Sequence, residues 1–195
     1  MKVKIIASIA AAAILAAVGS ARATFHEWLP EEIFSNASGT VQYIEFSNTF
    51  DLENLLSSTS ITAATTGNTY HFPTNLASSS TSGHKLLVAT PGYAALPGVP
   101  TPDYVLPSNN FFSITGDSVH LIGTAQPFLT FTSGQLPTDG HTALFFNGTT
   151  LSTGLSSPTN FAGVSGTVAV PETTTLALLV GSGGLLLCRR SRRNG

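Results

Sequence analysis

The sequence predicts an all-β sandwich, and three features lead to that expectation. From Thr24 onward the apolar residues come in short runs broken by Gly, Pro, Asn, Asp and Ser about every ten residues, a spacing of strands and tight turns. The runs are rich in Val, Ile, Tyr and Phe, side chains that pack well on a pleated surface. No segment repeats at a fixed period, which argues against a propeller or solenoid.

Taken in order, residues 32–35 and 41–48 read as two strands flanking a turn at 36–39. In the second, Gln42, Ile44 and Phe46 fall on one face and Val41, Tyr43, Glu45 and Ser47 on the other. Residues 51–56 are expected to form a turn with its leucines packed inward. Residues 57–66, polar with β-branched side chains, fit an exposed strand or a loop equally. A short strand ended by Pro73 is expected over 68–73, a buried strand over 83–89, and a loop over 91–102, which holds four prolines and two glycines. Five further strands are expected at 104–106, 111–114, 117–122, 128–131 and 143–146, with tight turns at Gly116-Asp117 and Asp139-Gly140. Residues 78–82 and 149–157 read as Ser/Thr-rich polar surface, with a carrier of O-linked sugars as the alternative. Gly163-Val164-Ser165-Gly166 reads as the entry to a strand at 167–170.

The two ends of the chain differ from this body. Met1-Lys2-Val3-Lys4 is basic, residues 5–18 are apolar, and Ala21-Arg22-Ala23 supplies a small-x-small cleavage pattern. Together these read as a signal peptide, a helical segment over 1–23, cut by signal peptidase so that the mature chain begins at Thr24. At the other end stand Val170, Pro171, Glu172 and Thr173, then an apolar run over 174–188, then Arg189, Arg190, Arg192 and Arg193. As a single transmembrane helix the run is about 22 Å long, short for a hydrocarbon core of about 30 Å, and snorkelling arginine stems make up part of the difference. The arginines should stay cytoplasmic, leaving the body on the far side of the membrane.

This tail, 170–195, resembles the PEP-CTERM sorting signal of exopolysaccharide-producing Gram-negative bacteria. Val170, Pro171 and Glu172 match the family's box, and Thr173 stands where its second proline is usual. The resemblance implies that the chain is a substrate of an exosortase, which cuts near the box and sends the body to the cell surface, the medium or the polysaccharide matrix. The body bears a second resemblance, to the lamin-tail domain, over about 25–131. Its carriers are Glu32-Ile33-Phe34-Ser35-Asn36, Gln42-Tyr43-Ile44-Glu45-Phe46-Ser47-Asn48, Asp51-Leu52, Lys85-Leu86-Leu87-Val88 and Ile114-Thr115-Gly116-Asp117-Ser118-Val119-His120-Leu121. The Gly-Trp step that usually follows the Asp-Leu pair is missing. This resemblance implies an immunoglobulin-like sandwich for the body, 24–169.

Charge narrows the partners. Without the two end segments, nine carboxylates (Glu27, Glu31, Glu32, Glu45, Asp51, Glu53, Asp103, Asp117 and Asp139) face Lys85 alone, leaving about −8. Such a body, with one lysine, lacks the cations needed to displace counterions from nucleic acid. The sole cysteine, Cys188, lies in the tail, so the body has no disulfide or thiol chemistry.

Catalytic and metal patterns are sparse. His26, His71, His84, His120 and His141 form no close zinc-type pair and read as scattered imidazoles, and the four aspartates are too widely separated for a calcium loop. No cofactor is expected. Gly163-Val164-Ser165-Gly166 falls one position short of a nucleophile elbow. Glu31-Glu32 should point to different sides, as the edge of the first strand rather than a glycosidase pair. Trp28, Tyr43, Tyr70, Tyr93 and Tyr104 offer stacking surfaces for sugars if exposed, with core packing the favoured reading for Trp28 and Tyr43. The expectation is a secreted, non-enzymatic surface or matrix protein. The alternatives are a carbohydrate-binding module using exposed aromatics and calcium, and a secreted hydrolase without a recognisable motif.

Overall fold

The computed structural model describes residues 27–124 and 126–170. The signal segment 1–23 with Ala21 and Ala23, the mature start Thr24, and His26 lie outside them. So do Pro171, Glu172, Thr173, the apolar run and the four arginines.

Within the described residues the chain is all-β. Its strands are β1 (Leu29–Ser35), β2 (Gln42–Ser47), β3 (Ser60–Ala63), β4 (Asn68–His71), β5 (Lys85–Ala89), β6 (Tyr104–Val105), β7 (Asp117–Ile122), β8 (Leu129–Phe131), β9 (Thr142–Phe146) and β10 (Leu151–Leu155). They form a six-stranded sheet in the order β10-β9-β1-β2-β5-β6 and a four-stranded sheet in the order β4-β3-β7-β8. Only β5 and β6 pair parallel.

The β1–β2 hairpin starts the larger sheet, and its turn is set locally. Asn36 O accepts from Gly39 N–H, Asn36 Oδ1 accepts from Val41 N–H at 3.0 Å, and Gly39 takes φ +69°, a conformation that favours glycine. A bulge between Pro30 and Glu32 interrupts the pairing. β2 is buried on both faces, because the larger sheet is covered on both sides. Ile44 and Phe46, with Ile33, Leu86 and Val88, meet Ile61, Val119, Leu121 and Leu129 of the smaller sheet in the main core. Trp28 is fully enclosed there and donates its indole N–H to Glu53 O at 2.8 Å. On the opposite face, Phe34, Tyr43, Leu87 and Ala143 form a second core with Tyr93 and Val168.

Several expectations need correcting. The loop over 91–102 begins with a one-turn helix, α1 (Pro91–Ala94), capped by Thr90 Oγ1, which accepts from Tyr93 N–H at 3.4 Å. Gly92 fits because a Cβ there would lie 2.2 Å from Thr40 O, so the helix rests directly on the hairpin backbone. Residues 57–66 contain an interior strand, β3, between β4 and β7, in place of an exposed strand or loop. Of the leucines in 51–56 only Leu56 turns inward; Leu52 and Leu55 are exposed. Residues 111–114 form no strand. Phe111 and Phe112 are buried, and the Gln42 amide satisfies the Phe112 backbone by donating to its carbonyl (2.9 Å) and accepting its N–H (3.3 Å). β10 occupies what reads as polar surface, and 167–170 pairs in no strand.

Candidate functional site: a strap fastened by carboxylates

The distinctive chemistry lies on the outer face of the larger sheet. Strand alternation places Glu45 beside Tyr43 on that face, and Glu32 is its register partner on β1. The bulge before Glu32 turns Glu31 toward the same side, where Lys85 of β5 contacts the carboxylates of Glu31 and, at 3.6 Å, Glu45. Glu31 and Glu32 therefore do not point to different sides, and they lie within β1 rather than at its edge.

Residues 156–170 cross this face as a strap. Ser157 donates its N–H (2.9 Å) and its hydroxyl (3.0 Å) to Glu32, which also accepts the Tyr43 hydroxyl. Thr159 N–H donates to Glu45 at 2.6 Å. Phe161 N–H reaches Asp103 at 2.9 Å, and the same carboxylate accepts Leu87 N–H from β5 at 2.8 Å. The strap turns at Gly163 and comes back, Val168 N–H donating to Ser156 Oγ at 2.9 Å. Val170 N–H then donates to Gly140 O at 2.8 Å, and its side chain packs against the second core.

Glu32 and Glu45 are almost wholly buried, 1% and 3% exposed. Burial pushes Glu45 up to about 8, against the pull of Thr159 N–H and Lys85; desolvation outweighs the ion pair because the lysine lies on the wetter rim. Burial also raises Glu32, opposed by its bonds to Tyr43 and Ser157. Desolvation, then the carboxylates, holds the hydroxyls of Tyr43 and Tyr93 above their ordinary value. These acids are bonded to the chain's own donors and lie beneath the strap, an arrangement that fastens a segment.

The aspartates act the same way at the loops. Asp51 accepts from Thr81 and Ser82 N–H. Asp117 accepts from Thr65, Ser113 and Ser118 N–H. Asp139 accepts the Thr142 hydroxyl and the N–H groups of His141 and Thr142, and these bonds outweigh its desolvation and hold it below the ordinary carboxylate range. Asp117 also borders an open depression of about 480 Å³ at one end of the smaller sheet, lined by residues that include Thr65, Thr115, Ser118, Thr130, Phe131 and Thr132.

The other candidates are dispersed. His71 and His141 are exposed, His84 is half-buried against Phe161, and His120 is stacked on Phe128 with ring centroids 3.8 Å apart. No group of three metal-ligating side chains occurs among the described residues. Ser165 lies in the strap, its hydroxyl 2.9 Å from that of Thr159. Trp28 and Tyr43 are core residues, Tyr93 and Tyr104 are buried too, and Tyr70 packs against the main core. Sequence reasoning missed the roles of Glu32, Glu45 and Asp103. The one signal for them was the charge balance, since nine carboxylates beside one lysine must find backbone donors wherever they are buried.

No protein-family model, curated protein or solved structure matches the chain.

Proposed function

We propose that the chain is a secreted, non-enzymatic surface or extracellular-matrix protein, exported by its signal peptide, held at the inner membrane by its C-terminal run and cut by an exosortase near Pro171-Glu172. The observation that carries this reading is the anchoring of the residue directly before the Pro-Glu box. Val170 donates its N–H to Gly140 O and packs against the second core, so cleavage beyond it would leave these contacts in the released body. The use of Glu32, Glu45 and Asp103 to fasten the strap supports a scaffolding role for these carboxylates.

We further propose an immunoglobulin-like, lamin-tail-like architecture for the body. Its support is that the segments carrying that resemblance fall largely on β1, β2, β5 and β7. A second reading, binding of extracellular polysaccharide, draws on the open depression beside Asp117, lined largely by threonines and serines, rather than on the large aromatics. Replacing Pro171 and Glu172 together with Ala should leave the arginine tail attached in the native host, read by immunoblot with a tail-specific antibody. Release at the normal rate would refute the sorting proposal.

A further inference from the structure

β10 is the terminal strand of the larger sheet, and its free edge is unusually open. The Asn147–Thr150 turn and the Ser156 N–H to His141 O bond (2.9 Å) fix which residues face β9. Pairs alternate between hydrogen-bonded and open along an antiparallel ladder. Ser152 and Gly154 therefore bond to β9, and Leu151, Thr153 and Leu155 aim their N–H and C=O groups away from the sheet. β10 pairs only with β9 among the described residues.

Edge strands are ordinarily guarded by charge, proline or a cover. Among the described residues β10 has no such guard, and no charged residue occurs anywhere from Thr142 to Val170 in a body that otherwise carries about −8. An acidic molecule meets its own copy with least repulsion at this edge. Leu155 is 72% exposed there. The strand also reads nearly the same in both directions, Leu-Ser-Thr-Gly-Leu, with a leucine at each end and small residues at the second and fourth positions. An isologous contact requires that kind of self-complementarity.

We propose that β10 pairs antiparallel with β10 of a second copy about a two-fold axis through Thr153, joining two six-stranded sheets into one. Thr153 then faces its own equivalent in a hydrogen-bonded pair, Leu155 lies opposite the partner's Leu151, and Ser152 lies opposite the partner's Gly154. A foreign strand would satisfy the same backbone groups, but it would not need the leucine-to-leucine symmetry. The contact does not depend on how the tail is processed.

The test is a disulfide trap in the full-length chain in mild detergent, with Cys188→Ser so that the introduced thiol is the only one. In an antiparallel hydrogen-bonded pair the Cα atoms are about 5.5 Å apart, within disulfide reach. Thr153→Cys should therefore cross-link under mild oxidation at least tenfold faster than Ser152→Cys, whose equivalent across the axis is two residues out of register. Adding Leu155→Lys, a change at an exposed position, should slow the Thr153→Cys cross-link at least tenfold. Equal rates at 152 and 153, or a cross-link indifferent to Leu155→Lys, would overturn the proposal.

Discussion

Glu32→Ala is expected to lower stability by about 3–5 kcal/mol and to make residues 156–170 the first site of proteolysis. Glu32 receives the Tyr43 hydroxyl and both the N–H and the hydroxyl of Ser157, so its loss strands donors at a face the strap keeps dry. Each donor left buried and unpaired costs about 1–3 kcal/mol, and the space left by the side chain adds to that. Glu32→Gln keeps an acceptor oxygen and should cost less than half as much. Denaturant unfolding gives the stability, and limited proteolysis with mass mapping gives the site. A loss under about 1 kcal/mol with an unchanged cleavage pattern would mean that the strap is held by its apolar contacts alone.

Stability should also fall as pH rises, by about 4 kcal/mol between roughly pH 4.5 and 9, and flatten above that. Glu45 sits at about 8 in the folded protein, above its ordinary value, so the folded state holds a proton that the unfolded chain gives up. That contribution is complete below the unfolded value and is lost as pH climbs through the folded one. Glu32 and Asp103, also raised by burial, act in the same direction, while Asp139 acts oppositely but at an exposed position. Glu45→Gln, which keeps an oxygen for Thr159 N–H, should remove most of the slope and be more stable than the wild type at pH 8. Urea unfolding across this range measures both. Stability that rises toward pH 8, or a slope unchanged in Glu45→Gln, would show that Lys85 keeps Glu45 ionised.

The parts of the fold legible in the sequence were those set by neighbours along the chain. The β1–β2 hairpin announces itself through Asn36 and Gly39, because the turn is closed by the Asn36 side chain and the φ of Gly39. β5 and β7 follow from apolar runs bounded by turn residues. β3 was ambiguous because only Ile61 and Ala63 face the core, and β10 was hidden because its small polar residues owe their strand to β9. Residues 111–114 look like a strand by composition, yet the Phe111 carbonyl is taken by Thr66 and Asn68 side chains.

The strap was beyond any local reading. Alternation puts Tyr43 and Glu45 on one face, but what covers them arrives from 114 to 125 residues away along the chain, at Thr159 for Glu45 and Ser157 for Glu32. The aromatics were legible in part. Trp28 and Tyr43 are core residues as favoured, whereas the burial of Tyr93 depends on a helix that its proline- and glycine-rich surroundings concealed.

The most direct test of the proposed function is the intact mass of the protein recovered from the surface or medium of its own host. The proposal requires a mass corresponding to a chain that begins at Thr24 and ends just beyond Val170, with or without added sugar. A mass that retains Arg189 to Arg193 would contradict it and make the chain a membrane-anchored protein.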